Sequence, residues 1–218
     1  QLSGSIAYKN YKKKNNSPKL QQVYTNWLAG YYSGRGVEYL HKPNPEKGLS
    51  YFDQSIALFK STKSLREMHF TMIVKSSLYT KMYEYEKAIA GIFKALKFFE
   101  QSTEQYAEDL AYAYSGLAFI YSKQKKYEKA IEYNQKVLAC YREFDPDNYV
   151  NYLTSQVHSR MATVYMALKK YPETILHAQK ALQLSEHMND KYLKIQNLCR
   201  IGTVKMKQAK YDEAEKIF

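Results

Sequence analysis

One phrase occurs twice in this chain. Residues 125–138 read KKYEKAIEYNQKVL and residues 169–182 read KKYPETILHAQKAL, forty-four positions later. A period of twenty to fifty residues restricts a chain to stacked supersecondary units, because each unit leaves an apolar face that only its neighbour covers. Further copies are MYEYEKAIAGIFKAL at 82–96, AKYDEAEKIF at 209–218 and a weaker NPEKGLSYFDQSIAL at 44–58. Aligned on the small residue after the charged pair, they give Gly48, Ala88, Ala130, Thr174 and Ala214, at spacings of 40, 42, 44 and 40 residues.

Each copy follows a second helical stretch that repeats in the same frame. Its small residue is Gly36, Ser76, Ala118, Ala162 or Gly202, twelve positions before that of the next helix. Small residues at fixed sites on paired helices let two backbones approach closely, as an antiparallel hairpin requires at its crossing. Three residues after the first small site come Tyr39, Tyr79, Tyr121 and Tyr165, with Lys205 in the last copy. That spacing keeps one helix face, so the column reads as packing rather than as a cofactor box. Tyrosine, at 23 residues, suits such half-buried seams.

Leu117, Ala118 and Tyr121 with Tyr127, Ala130, Val137 and Leu138 carry a resemblance to the tetratricopeptide repeat family. So do Met161, Ala162 and Tyr165 with Tyr171, Thr174, Ala181 and Leu182, and Ser76 and Tyr79 with Tyr85, Ala88, Ala95 and Leu96. The resemblance covers roughly 29–218 and implies an all-α fold, a right-handed α-solenoid of antiparallel helix hairpins. The family unit is nominally about 34 residues; units of 40 to 44 here imply longer helices or connections. The expected units are 29–63, 64–103, 104–147, 148–188 and 189–218, the last incomplete, after N-terminal helices in 1–28 that read as the remnant of a preceding repeat.

Boundary signals agree. Asn44-Pro45-Glu46 reads as an N-cap, a first-turn proline and an early acid. Ser64–Glu67 and Ser102–Gln105 have the form of capping boxes, and Pro172 lies where a second helix begins. Leu20, Val23, Tyr24, Trp27, Leu28 and Tyr31 predict one helix from Lys19 to Tyr39, about 30 Å long. The chain opens on Gln1 and stops at Phe218 inside a second helix, so a longer protein with a further unit or cap is expected.

Composition narrows the chemistry. The net charge of +12 comes mostly from lysines interleaved with acids, and the arginines are only Arg35, Arg66, Arg142, Arg160 and Arg200. That pattern reads as a solvated surface rather than a nucleic-acid footprint. No apolar run is long enough to span a bilayer. Cys140 and Cys199 sit in apolar helical patterns and read as buried small hydrophobes. The compartment stays open, with the cytoplasm preferred to the periplasm. His41, His69, His158, His177 and His187 show no metal-ligand spacing, and no phosphate loop or nucleophile elbow occurs. No cofactor and no catalysis are expected. His158 and His177 fall on facing helices of one hairpin and read as a structural pair.

What remains is surface. By the resemblance, the first helix of each unit lines a concave groove that receives a protein or peptide partner. Repeat position assigns to it Ser33 and Val37; Phe70, Ile73, Val74 and Ser77; Tyr112, Ser115, Gly116 and Phe119; Gln156, Ser159, Arg160 and Thr163; and Gln196, Cys199, Arg200 and Thr203. The early part is apolar. The later part holds Arg160 and Arg200 at equivalent positions, where guanidinium groups grip a carboxylate with two parallel bonds. The expected occupant is an extended segment with an apolar stretch and an acidic group or C-terminal carboxylate; in the competing reading both arginines pair with nearby Glu or lie in solvent. The chaperone-tail clamp of some tetratricopeptide domains is absent, since Ser33, Val37 and Val74 stand at its positions. A second function implied by the resemblance is a peptide-sensing or dimerising module of a bacterial regulator, and self-association is left open.

Overall fold

The computed structural model describes residues 17–102, 106–142, 148–185 and 190–217. Helices occupy them almost entirely: α1 Pro18–Glu38, α2 Pro45–Ser61, α3 Leu65–Lys81, α4 Tyr85–Gln101, α5 Ala107–Lys123, α6 Tyr127–Arg142, α7 Asn148–Ala167, α8 Tyr171–Ser185, α9 Lys191–Lys207 and α10 Tyr211–Glu215. No strand occurs among the described residues. The chain divides into two compact units, one ending at Gln101 and one beginning at Ser102. Within each, consecutive helices form hairpins packed on their neighbours, the all-α arrangement of a solenoid.

The repeat frame explains the hairpins. The ten small sites named from the sequence are all buried. A Cβ at Gly48 would lie 2.6 Å from the Tyr39 Cβ and 2.6 Å from a Leu78 methyl, and one at Gly36 would lie 2.8 Å from the Phe52 ring. Thr174 meets the same demand by turning its hydroxyl onto the Lys170 carbonyl of its own helix, 2.8 Å away. Within each unit an apolar cluster joins one hairpin to the next: Tyr39, Phe52, Val74 and Leu78 in the first, and Ala111, Val137, Val157 and Met161 in the second.

One turn closes four of the hairpins. Tyr83, Lys125, Lys169 and Ala209 adopt left-handed backbone with φ of 58° to 63°. In each case the next residue donates its N–H back across the turn, to the carbonyls of Tyr79, Tyr121, Tyr165 and Lys205 at 2.9 Å. This is the Schellman termination, which favours glycine at the left-handed position. Its acceptor is the backbone carbonyl at the tyrosine-column position, supplied equally by Lys205 in the last copy, so the turn stands in the same repeat frame as the packing.

Several boundary expectations hold. Asn44 accepts from the Lys47 N–H with Pro45 following, and α1 runs unbroken over 21 residues. The capping box at Ser64 does not form. Ser64 makes no side-chain cap; its hydroxyl donates to Asn26 on α1, which also accepts from Thr62. A long-range acceptor has outcompeted the local amide. Of the other box only Ser102 is described; Thr103, Glu104 and Gln105 lie outside the described residues. A cap that the sequence reading passed over is Asp190, whose carboxylate accepts from the Leu193 N–H at 3.0 Å.

Two substitutions test this frame in opposite directions. Lys169→Gly relieves a left-handed lysine and is expected to stabilise the chain by roughly 1 kcal/mol, a rise of a few degrees in thermal midpoint. Gly48→Ala drives a methyl into Tyr39 and Leu78 and is expected to cost about 1–3 kcal/mol. Circular dichroism melts check both; equal midpoints for the two variants would show that neither site is under the stated constraint.

Candidate functional site

Three residues per hairpin build its inner seam. One lies four before the first small site, one three after it, and one three after the second small site. In the first hairpin these are Tyr32, Tyr39 and Tyr51, with centroids 6.1 Å and 5.8 Å from Tyr51. In the third they are Tyr114, Tyr121 and Tyr133, at 6.1 Å and 5.5 Å. In the fourth they are His158, Tyr165 and His177, at 5.0 Å and 5.2 Å. The second hairpin has Met72 and Gly91 instead, and there Tyr79 takes the ammonium groups of Lys75 and Lys87 at 5.4 Å and 5.7 Å. The histidines therefore stand where tyrosines stand one hairpin earlier.

His158 and His177 meet through their Nδ1 atoms, 2.8 Å apart. One ring donates N–H and the other accepts, so the two rings cannot both be protonated in this geometry. Burial, the charge that His177 can carry and the charge of Lys180 together lower the His158 pKa to about 4. Burial and Lys180 lower His177 as well, partly opposed by Glu173. A free histidine titrates near 6.5. Between pH 6.5 and about 4 the unfolded chain binds a proton that the folded pair refuses, so stability is present above pH 6.5 and drains as pH falls through that window. The double variant His158→Tyr, His177→Tyr copies the third hairpin. It is expected to keep its fold and to lose less thermal midpoint than the parent between pH 7 and pH 4.5. An equal loss in both would remove the pair from the acid response.

His69 is structural too. It stacks on Phe98 at 4.3 Å, its Nδ1 lies 2.8 Å from the Leu65 carbonyl, and burial lowers its pKa. His41 is exposed, and His187 lies outside the described residues. No three potential metal ligands come together among the described residues. No described helix is long and apolar enough to cross a membrane.

The groove residues separate into two groups. In the first unit Phe70 and Ser77 on α3 are exposed, Ser33 is half-buried and Val37 is exposed on α1. Ile73 and Val74 are core: Ile73 is 2% exposed, and Val74 packs with Tyr39, Phe52 and Leu78. The neighbouring hairpin covers the α3 face that repeat position alone assigned to solvent. Cys199 corrects the opposite way, being exposed rather than buried, while Cys140 is half-buried against the α5–α7 cluster.

In the second unit the first helices of successive hairpins are tied side to side. The Arg200 Nη1 on α9 donates to the Ser159 hydroxyl on α7 at 2.9 Å, and to Asn197 on its own helix at 2.9 Å. Its Nη2 reaches Gln196 at 3.4 Å. One hairpin earlier the Arg160 Nη2 on α7 reaches the Ser115 hydroxyl on α5 at 3.4 Å. Both contacts join the residue two before the small site to the residue three before the small site of the preceding hairpin. Thr163 and Thr203 spend their hydroxyls on their own helices. Tyr112 and Phe119 stand exposed on α5, and Gln156 is half-buried on α7.

The electrostatics single out Arg160. Its Nε is buried with no acceptor among the described residues, and burial pulls its pKa down. Burial also lowers Arg200, with Tyr192 and Cys199 opposing. Neither guanidinium has a carboxylate partner among the described residues, whereas Arg35 is paired with Glu38 at 2.8 Å. The expected pairing with nearby Glu is thus not what holds these arginines.

Comparison with known proteins finds a repeat-family match over part of the chain and the same fold in solved structures. The tetratricopeptide repeat family matches residues 110–143. No curated protein matches the chain. Among solved structures, BtubC (BKLC) from P. vanneervenii superposes with a TM-score of 0.81 at 15% identity, over 99% of this chain and 85% of that one. Aspartyl phosphate phosphatase F from Bacillus subtilis gives 0.76 at 18% identity over 97% of this chain, which spans 58% of that protein. A putative kinesin light chain with nearly identical TPR-like repeats, from Podosopora anserina, gives 0.68 at 12% identity, over 88% of this chain and 92% of that one.

Proposed function

We propose that this tetratricopeptide-repeat chain is a non-catalytic interaction module whose second unit binds an extended segment carrying an acidic group. One observation carries the reading. Among the described residues Arg160 is held half-buried with a single hydrogen bond at 3.4 Å and no carboxylate, and Arg200 repeats its position one hairpin on. A buried guanidinium with five donors and one distant neutral acceptor favours an anion, and a carboxylate meets it with two charge-assisted bonds. Tyr112 and Phe119 offer apolar contact beside it. The ligand class is a peptide with an acidic side chain or a free C-terminus next to apolar residues.

A regulatory role is the second reading. The likeness to aspartyl phosphate phosphatase F covers 97% of this chain but 58% of that protein. A fold of this kind therefore occurs within a longer chain of that name, and on this reading the present array is a peptide-sensing or dimerising regulatory module.

Peptide-display selection against the 218-residue chain tests both readings, with the double variant Arg160→Glu, Arg200→Glu as counter-screen. Enriched peptides are expected to carry an acidic group, and the variant to bind them at least about tenfold more weakly, the effect of losing one charge-assisted contact. Affinity unchanged in the variant would sink the arginine site. A partner recovered only as a folded signalling domain would favour the regulatory reading.

A further inference from the structure

Helix α1 carries two glycines that its own fold does not explain. Gly36 is required, because a Cβ there would strike the Phe52 ring. At Gly30 and Gly34 a Cβ would meet nothing within 4 Å. Each interior glycine costs a helix about 1 kcal/mol relative to alanine. Both lie on the solvent face, in a row with Leu20, Val23, Trp27 and Val37, which are 42%, 60%, 61% and 39% exposed. The spacings along this row are 3, 4, 3, 4 and 3 residues, the seam of a two-helix coiled coil. No charged residue falls in it.

The row reads the same from either end. We infer that it is the surface on which two copies of this chain pair, with their α1 helices antiparallel about a two-fold axis. In that register Trp27 lies opposite Gly30 of the second copy, Val23 opposite Gly34 and Leu20 opposite Val37. Every bulky residue of the central layers meets a glycine, which is the self-complementarity a two-fold interface demands. Tyr31, stacked on Trp27 at 6.1 Å and 47% exposed, widens the apolar band. These side chains expose on the order of 500 Å² per copy, so pairing buries on the order of 1,000 Å², where specific interfaces begin. No charge is desolvated in the seam, so the apolar gain is not offset by that penalty. This pairing does not depend on the arginine site.

Trp27 is the only tryptophan, so its emission reports the seam directly. The experiment is sedimentation of the 218-residue chain over a concentration series, with tryptophan fluorescence read on the same samples. The mass is expected to double while the emission shifts to the blue. Gly30→Leu fills the space that receives Trp27 and is expected to weaken pairing at least tenfold. Gly30→Ala keeps the helix and controls for folding, read by circular dichroism. Val23→Glu is expected to give monomer, and adding Gly34→Lys to restore the dimer, because those positions face each other only in this register. Three outcomes overturn the inference. They are a monomer at every concentration, a dimer indifferent to Gly30→Leu and Val23→Glu, and a monomer whose Trp27 is already shielded.

Discussion

Two backbones must cross closely enough that only a small side chain fits between them, and the rest of each hairpin follows from that crossing. Where the site is glycine the approach is closest: a methyl at Gly48 has no room beside Tyr39 and Leu78. Where it is threonine, the hydroxyl of Thr174 folds back onto its own helix. Fixing the crossing fixes what stands three and four residues away on each helix. Tyrosines at those positions then face one another, and the carbonyl of one of them closes the Schellman turn. Where turn and rings coincide, as in the third and fourth hairpins, local sequence, turn and packing agree, which is how a repeat array gains stability from short-range contacts.

That consistency tolerates exchange of the rings. The first and third hairpins use three tyrosines, and the fourth keeps one and substitutes two histidines at similar centroid distances. The exchange preserves the ring packing but adds a hydrogen bond between the rings and a proton equilibrium that tyrosine lacks near neutral pH. In the second hairpin Gly91 leaves no ring opposite Tyr79, and lysine ammonium groups occupy the ring faces instead. A tyrosine-rich seam amid many lysines can be completed by either a ring or a cation.

The period, the ten small sites, the long α1 and the tyrosine column were all legible in the sequence, because each is a local pattern repeated in register. What failed were statements about which neighbour a side chain meets. Ser64 looks like a cap until Asn26, 38 residues away, becomes its partner. Ile73 and Val74 were assigned to the groove by repeat position alone, yet both are buried, Val74 against Tyr39 and Phe52 of the adjacent hairpin. Cys199 looked apolar and buried, but its face of α9 is open. The column four residues before the small site was missed, although Tyr32, Tyr114 and His158 stand there in frame; the signal lay in comparing ring positions across copies rather than within one.

The position two residues before the small site weighs the two readings of the arginines. It holds Gly34, Val74, Gly116, Arg160 and Arg200 in successive copies. Val74 shows what pure packing needs there: an aliphatic side chain, buried, with no polar atom to satisfy. Glycine shows that packing is not always needed. Arg160 does neither job cheaply, because its burial is opposed by desolvation and a serine hydroxyl at 3.4 Å offsets little of it, whereas Arg200 has serine and asparagine acceptors at 2.9 Å. An arginine that only spaced α5 from α7 would be a poor solution beside valine. One that waits for a carboxylate is a good solution, because the same desolvation that weakens it alone strengthens every contact it makes with an anion.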